Sequence, residues 1–242
     1  MYATWRFNEN DRSNWQSFVR ANLSNEFVKD RERRNIHRKT VDLSRGMLWF
    51  VHVGCQVTTQ QRSGPTSAVS RFLESHSRTL SYAECVGSSN VKDLVHTELS
   101  NAGLRRAKTI ADNLSEILAN LEGGGWTELE RQLKTIDKRT TMEKERRVAR
   151  YVENEFPGLG PKQSRNFIQW LGLTRYEIPV DSRITRKMKA LGCSFVPSAA
   201  ALHDETVYLL VQGGLQQVAE MLGIYPCILD ACIFSSFDVR KR

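Results

Sequence analysis

The chain has 242 residues, 40% of them hydrophobic, which is enough to bury a substantial core in one large domain or two small lobes. Lysine and arginine outnumber aspartate and glutamate by 35 to 27, and the net charge of +8 suits a polyanionic partner or, equally, a basic protein without one. The five cysteines include no C-x-x-C pair, which disfavours a disulfide scaffold and a zinc or iron–sulfur site, and a reducing cytoplasm is expected. The sequence has no apolar leader and no apolar run near about 18 residues, so secretion and membrane spanning are also disfavoured.

Apolar residues recur at helical spacing along nearly the whole chain, and few segments alternate with period two, so the predicted fold class is mainly α. In "LRRAKTIADNLSEILANL", for example, an apolar stripe runs from Ile110 to Leu121, and Gly123 to Gly125 end the helix. The other predicted helices lie near residues 14–37, 42–60, 65–76, 90–101, 127–136, 141–154, 161–171, 182–191, 204–211, 215–222 and 226–234.

Basic residues cluster at Arg31–Lys39, Arg105–Lys108, Lys138–Arg150 and Arg240–Arg242. Most are interleaved with acids or apolar residues, so a solvated helix face explains any one cluster by itself. Turn-forming residues at 86–90, 122–126 and 157–161 interrupt the helices, and a hinge between lobes is expected within the first of these segments and after the last.

The stretch "EFPGLGPKQSRNFIQWLG" predicts a tight turn between two helices. Gly158 and Gly160 permit positive φ, and Pro161 suits the first helical position. Free amides at this helix start, with those of the glycine turn, suit a phosphate, and such a hairpin holds a nucleic-acid backbone without reading its sequence.

Lys162 lies in the first turn of that helix, where the helix dipole disfavours a positive charge by roughly 0.3–1 kcal/mol. A lowered pKa favours the neutral amine, which is the form that attacks an electrophilic carbon. The alternative interpretation is a surface lysine or one that reaches a phosphate, and the local sequence favours that alternative slightly.

Asp181, in "EIPVDSRITRKMKALG", directly precedes a predicted helix and can cap it, which is its favoured role when it is considered alone. A capping carboxylate is also held rigidly. It can therefore stabilise a cationic transition state or manage protons beside an amine.

The segments "FPGLGPK" and "IPVDSR" together resemble the helix-hairpin-helix, Gly/Pro…Asp (HhH-GPD) superfamily of DNA glycosylases. Three further segments resemble parts of the superfamily, the last of them the final helices of its type 2 (archaeal and bacterial) 8-oxoguanine glycosylase/lyases: "VGCQVTTQQRSGPTSAVSRFL", "LSNAGLRRAKTIADNLSEIL" and "VAEMLGIYPCILDACIFSSF". The resemblance spans about residues 40–237. It implies a two-lobed helical fold with the helix-hairpin-helix (about 141–172) at the cleft, a central lobe of 80–185, and a lobe of 1–79 with 186–242.

By this resemblance, Lys162 would attack C1′ and form a Schiff base, and Asp181 would stabilise the oxocarbenium ion and shuttle protons. The Gly158 and Gly160 amides would hold a phosphate, and hairpin carbonyls often bind a structural monovalent cation in the family; no cofactor is required. Gln60, with Gln61 as second choice, would fill the gap left by the flipped base, although two exposed glutamines at a helix end explain the pair equally well.

The choice of base is less determined by the resemblance. The type 2 branch has an acid and, four residues on, an aromatic residue in its last helix, and it ends in a lysine that contributes to base reading. Here Asp230 and Phe234 have that spacing, but phenylalanine replaces the usual tryptophan and the chain finishes with Arg242. A surface or capping acid and a core aromatic are the favoured alternative. The N-terminal segment 1–39 has no counterpart, and its Trp5 and Trp15 either belong to the core or alter the pocket.

The predicted function is therefore removal of an oxidised or modified base, 8-oxoguanine first, from duplex DNA by a monomeric, cytoplasmic enzyme (nucleoid-associated if prokaryotic) with subsequent β-elimination. One alternative is the same mechanism on bulky modified bases such as those of phage DNA, as a defence. The alternative from another class is a non-catalytic helix-hairpin-helix DNA-binding module. The co-occurrence of a lysine and a carboxylate beyond the hairpin favours catalysis.

Overall fold

The computed structural model describes residues 5–61, 64, 66–75 and 79–237, and these residues form helices and connecting segments without a strand. The α-helices are α1 (Glu9–Asn22), α2 (Glu26–Arg31), α3 (Arg45–Val57), α4 (Ala68–Ser75), α5 (Tyr82–Gly87), α6 (Val91–Asn101), α7 (Ala107–Asn120), α8 (Trp126–Lys134), α9 (Met142–Glu155), α10 (Pro161–Trp170), α11 (Ser182–Ala190), α12 (Glu205–Met221) and α13 (Pro226–Ser235). Glu32–Ile36 and Leu121–Gly125 are π-helical, and Ala201–His203 is a 3-10 turn.

The hydrophobic residues pack into two cores. The first is built by α3 to α10, and the second combines α1 and α2 with α11 to α13. The N- and C-terminal segments thus share a core, as the predicted lobes do, but the boundaries differ. Helix α3 was predicted within the lobe of 1–79, but it packs in the first core because its apolar face meets α10. The two helices are so close that a Cβ on Gly54 would lie 2.2 Å from the Trp170 ring. The chain leaves the first core between Leu173 and Ile178, before the predicted boundary at 185.

Polar side chains at helix ends explain where the N-terminal helices begin and stop. The predicted helix 14–37 is interrupted because the Asn25 side chain accepts a hydrogen bond from the Phe27 N–H at 2.9 Å and starts a new helix there. Trp15 is buried in the second core, and Trp5 packs against Gly214. The two tryptophans therefore belong to the packing of this lobe.

Helix α12 corrects another sequence expectation. The segments 204–211 and 215–222 were predicted as separate helices, yet α12 continues through Gly213 and Gly214. The indole of Trp5 covers Gly214, and a side chain at that position would collide with it at 2.1 Å. Helix α5 is absent from the predicted helices. Its last two residues fall within the segment 86–90, where a hinge was expected, and its Cys85 side chain is buried in the first core.

Arg38 anchors the segment between α2 and α3 to the first core through hydrogen bonds. Its Nη1 donates to the carbonyl oxygens of Gly172 and Leu173 at 2.6 and 2.7 Å, and its Nη2 donates to those of Ile136 and Asp137 at 3.1 and 3.0 Å. A buried arginine with this many acceptors fixes the end of α10 relative to the N-terminal segment.

Within the described ranges, no single helix has the length and apolar character needed to cross a membrane. By length and composition alone, the pair α12 and α13, bent by 99° where they meet, passes the same test together.

Candidate active site

The hairpin between α9 and α10 has the geometry that its sequence predicts. Thr141 caps α9, Pro161 occupies the first position of α10, and Gly158 adopts φ +77° in the turn. A Cβ on Gly158 would lie 2.2 Å from Asn113 Nδ2 and 2.7 Å from Gln56 Oε1. The turn therefore needs glycine there both for its backbone angle and for the close approach of two amide side chains.

Gly160 differs from this expectation, because it is extended (φ −68°, ψ −172°) and uses no positive φ. It is the N-cap of α10, and its carbonyl oxygen accepts hydrogen bonds from Gln163 and Ser164. The backbone N–H groups of Gly158, Gly160 and Lys162 donate to no acceptor among the described residues. These free donors, at an exposed turn and a helix N-terminus, suit an anion such as a phosphate.

Lys162 lies half-buried in the first turn of α10, which points its side chain between the two cores. Burial lowers the pKa of its ammonium group, nearby Arg183 lowers it further, and the charge of Asp181 opposes both. The ammonium makes no ion pair or hydrogen bond with any described residue. The amine is therefore available for chemistry, and burial is the largest cause of its lowered pKa.

Asp181 caps α11, as predicted. Its Oδ1 accepts hydrogen bonds from the backbone N–H groups of Arg183 (2.8 Å) and Ile184 (3.2 Å), and its Oδ2 accepts one from Arg183 Nε at 3.1 Å. The carboxylate is thus fixed in orientation while it remains partly exposed. The cap and an electrostatic role are compatible in one side chain.

A buried network holds the segment that leads to Asp181. The Tyr208 hydroxyl donates to the Ile178 carbonyl at 2.7 Å and accepts from the Val180 N–H at 2.8 Å. Upstream, Glu177 receives a hydrogen bond from the fully buried Arg165 at 3.1 Å, and α10 carries that arginine three residues after Lys162. The segment before Asp181 is therefore tied to the same helix that presents the lysine.

An open groove of about 880 Å³ runs along the hairpin. Its cationic lining residues come from the turn before α7 and from α10 and α11, and they are Arg105, Arg106, Lys162, Arg183 and Arg186. Asp181 is the one carboxylate among the described residues that line it. The predicted basic cluster 105–108 thus contributes to this positive surface, whereas cluster 240–242 lies outside the described residues.

Gln60 and Gln61 also line the groove, but in different states. Gln61 Nε2 donates to the Val57 carbonyl at 3.0 Å, and its Oε1 accepts from the Arg105 N–H at 2.7 Å. Gln60 is exposed, has φ +56°, and makes no side-chain hydrogen bond with a described residue. The Gln60 side chain is therefore free to reorient, whereas that of Gln61 is held in place, and the inserting role of Gln60 stays a prediction.

A more enclosed cavity of about 400 Å³ opens beside the groove. The groove and the cavity share Thr58, Lys162, Asp181 and Arg183 as lining residues. The amine and the carboxylate therefore lie where the open groove meets a cavity whose volume of about 400 Å³ is usual for a ligand pocket.

Asp230 and Phe234 both line the cavity. Asp230 is buried and accepts hydrogen bonds from Arg31 Nη1 and Gln169 Nε2, both at 3.0 Å, so the surface or capping alternative for this residue is wrong. Phe234 is half-buried and stacks on Phe27 with 4.8 Å between ring centroids. Arg242, the other feature expected near the base, lies outside the described residues.

Phe27 and Arg31 also line the cavity, and they are absent from the site residues predicted from the sequence. They stand four positions apart on one face of α2, and this spacing was the available signal. Their function depends on contacts with α13, about 200 positions away, which no local pattern announces.

Metal binding has limited support in the described residues. They contain no group of three or more His, Cys, Asp or Glu side chains that could hold a metal ion. The carbonyl oxygens of Gly158 and Leu159 accept no hydrogen bond from a described residue, so they fit the monovalent cation implied for the hairpin. That cation stays a prediction.

No protein-family model matches this sequence, and the curated proteins give no match. Solved structures do match. The 8-oxoguanine DNA glycosylase of Thermotoga maritima aligns with a TM-score of 0.67 at 16% identity, covering 96% of this chain and 98% of that one. The 8-oxoguanine DNA glycosylase of Methanocaldococcus jannaschii gives 0.66 at 14% identity, with 95% of each chain covered. At these identities the likeness shows the fold, and it confirms the predicted mainly α, HhH-GPD glycosylase-like fold.

Proposed function

We propose that this protein is a DNA glycosylase with AP lyase activity, which removes a modified base from duplex DNA through a Schiff base at Lys162. The observation that carries the proposal is the placement of an unpaired, desolvated amine and an oriented carboxylate at the junction of a basic groove and an enclosed cavity. The structural likeness to two 8-oxoguanine DNA glycosylases supports the same assignment.

The groove would hold the DNA backbone, with the free N–H groups of the hairpin on a phosphate beside the lesion. The modified nucleotide would rotate out of the stack so that its base enters the cavity and its sugar lies between Lys162 and Asp181. Gln60 would occupy the space that the base leaves in the duplex.

In the first chemical step, the neutral Lys162 Nζ attacks C1′ as the C1′–N bond to the base breaks. The bonding electrons leave with the base, which takes up a proton. Asp181 stabilises the positive charge that develops on the sugar and carries protons between the amine, the sugar and the leaving base. The lowered pKa of Lys162 increases the fraction of neutral amine available for this attack.

In the second step, opening of the sugar ring gives a Schiff base between Nζ and C1′. Loss of a proton from C2′ then expels the 3′ phosphate and breaks the C3′–O bond, which is β-elimination. Water releases the lysine from the product. No metal or redox cofactor takes part in this sequence.

Among substrates, 8-oxoguanine is the first choice because both structural relatives are named for it. The second candidate is a base enlarged by a substituent, as occurs in phage DNA, and the cavity is compatible with it. Its volume lies within the range of about 300–1,000 Å³ that is usual for small-molecule pockets. The first core adds apolar lining residues to it, including Met47, Leu73 and Trp170.

A non-catalytic DNA-binding module explains the hairpin and the basic groove but gives no reason for an enclosed cavity beside an unpaired lysine. This observation favours the enzyme. The monomeric state and the cytoplasmic location stay predictions.

Borohydride trapping on duplexes that each carry one modified base tests the proposal. Wild type should form a covalent adduct with at least one duplex, Lys162→Gln should form none, and Asp181→Asn should form it more slowly. Lys189→Gln is the matched control, because Lys189 is an exposed lysine of α11 that lines neither the groove nor the cavity. An adduct that persists in Lys162→Gln, or a wild type inert on every duplex and on an abasic site, would refute the mechanism.

A further inference from the structure

The N-terminal segment contributes a charged residue to the cavity. Arg31 Nη1 donates to Asp230 Oδ2 at 3.0 Å, and both side chains are more than nine-tenths buried, with 5% and 8% of their surfaces exposed. The two residues lie 199 positions apart, in α2 and α13. A salt bridge this deeply buried is a weak contributor to stability, so its presence beside the proposed site calls for another explanation.

The hydrogen bonds within the cavity show how the pair orients its carboxylate. Arg31 and Gln169 both donate to Asp230 Oδ2, and Oδ1 accepts from no described residue. The amide nitrogens of Gln169 and Asn166 are also committed, to Asp230 and to Gln163. Each of these amide groups keeps a second N–H, whereas Asp230 Oδ1 can only accept while Asp230 is ionised, and no described donor occupies it.

The Arg31 guanidinium has an ion pair but an incomplete set of hydrogen bonds, so its charge is its main contribution here. Its Nε is buried without an acceptor among the described residues, and its Cζ lies 5.4 Å from the centroid of the Phe27 ring. Phe27 in turn stacks on Phe234, so α2 supplies both a flat apolar surface and the counter-charge for Asp230.

We infer that Arg31 is a positioning residue for base recognition: it holds Asp230 as a carboxylate whose free Oδ1 selects a base edge that offers N–H donors. This inference rests on the proposed function. It assigns to α2 a part in substrate choice, through Asp230 and not through contact of Arg31 with the reacting atoms.

The charge of Asp230 depends on several groups around it. Burial raises the pKa of Asp230, and Arg31 opposes this change. The other ionisable groups with electrostatic influence at this position are Lys162, Asp181, Tyr208, Cys227 and Cys232. Without Arg31, the pKa of Asp230 would rise further, so the carboxyl would hold its proton at higher pH and would offer an O–H donor in place of an acceptor.

Two activities separate base reading from lysine chemistry. Arg31→Gln should lower excision of the base identified by the trapping panel by about tenfold or more, because a charge-assisted hydrogen bond to the base is lost. The same variant should cleave a duplex with a preformed abasic site at the wild-type rate, since no base is read there. Asp230→Asn should show the same selective loss, and Arg31→Lys should restore excision in part.

Arg33→Gln is the matched control. Arg33 lies two positions after Arg31, lines neither the cavity nor the groove and pairs with the part-exposed Asp30, so its loss should leave both activities near the wild-type level. An equal loss of excision and abasic-site cleavage in Arg31→Gln would overturn the inference, as would unchanged excision. A wild type that cleaves neither substrate would instead refute the proposed function.

Thermal unfolding gives a readout without DNA. Below the ordinary aspartate pKa of about 3.9, Asp230 is protonated in the folded and unfolded states, so removal of Arg31 breaks no ion pair there. The stability lost in Arg31→Gln relative to wild type should therefore grow as the pH rises from about 4 to 8. In an Asp230→Asn background this pH dependence should vanish. A loss that is independent of pH, or a pH dependence that persists in the Asp230→Asn background, would show that Arg31 is only a packing residue.

Discussion

Replacing Gly158 by alanine tests how strictly the hairpin depends on one backbone position. Alanine at φ +77° costs about 1–2 kcal/mol in the left-handed region. Its Cβ would also displace the side chains of Gln56 and Asn113, and with them the hydrogen bonds Gln56 Nε2 to Pro157 O (2.6 Å) and Asn113 Nδ2 to Gln56 Oε1 (3.1 Å). Each hydrogen bond contributes about 0.5–1.5 kcal/mol, so the expected loss is about 2–5 kcal/mol in total.

For a chain of this size, that loss corresponds to a decrease in Tm of about 4–20 °C. Thermal unfolding followed by circular dichroism measures it, and fluorescence anisotropy with a labelled duplex should show weaker binding in parallel. Gly160→Ala is the matched control, because Gly160 is extended and a Cβ there meets no atom within 4 Å. A Gly158→Ala variant as stable as wild type, or two variants destabilised equally, would refute the reasoning.

Three further predictions concern the two glutamines of the groove, the tyrosine that holds the segment before Asp181, and a buried histidine of α3. Gln60→Ala should slow base excision at unchanged Tm, whereas Gln61→Ala should lower Tm, because only Gln61 has hydrogen bonds to lose; single-turnover kinetics and thermal unfolding distinguish them. Tyr208→Phe removes both hydrogen bonds that hold the segment before Asp181, and it should lower the unfolding free energy by about 1–3 kcal/mol and kcat more than KM. Burial lowers the pKa of His52 to about 3, so the folded state loses stability as the pH falls from about 6.5 to about 3, by up to about 1.4 kcal/mol per pH unit. His52→Leu should reduce this loss of stability at acid pH, and urea titrations at several pH values measure it.

Each of these predictions has a contradicting outcome. Equal effects of the two glutamine substitutions on excision would mean that Gln60 is not the inserting residue. A Tyr208→Phe variant with normal kcat would separate Asp181 from its supporting network. If His52→Leu still loses as much stability at acid pH as wild type, His52 is not the group responsible. The control is His96→Leu, because His96 is exposed.

Local chemistry made part of the site predictable. Pro161 and the glycines mark the turn, and Asp181 precedes a helix that needs a cap, so the hairpin and the carboxylate could be located from a few neighbouring residues. The fold class followed from helical periodicity, and the resemblance of the same segments gave the fold that the solved structures confirm.

The cavity was less predictable because its walls come from distant segments. Nothing in the sequence near Phe27 or Arg31 indicates that α13 will lie against them. The sequence also predicts one helix over 14–37, whereas a new helix begins after Asn25 and directs both side chains toward α13. In α12 the sequence predicts a break between residues 211 and 215, but the helix continues there. The indole that covers Gly214 belongs to Trp5, at the other end of the chain, so no local pattern could reveal this contact.

The separation of Arg31 and Asp230 along the chain also orders events during synthesis. The hairpin and Lys162 leave the ribosome before α13 exists, and Asp230 and Phe234 are among the last residues of the described chain to be made. A polypeptide that stopped before α13 would carry the hairpin and Lys162 but would lack Asp230 and Phe234, and with them one wall of the cavity. It would also leave Arg31 without its buried partner, so the N-terminal lobe reaches its final packing only after α13 has been made.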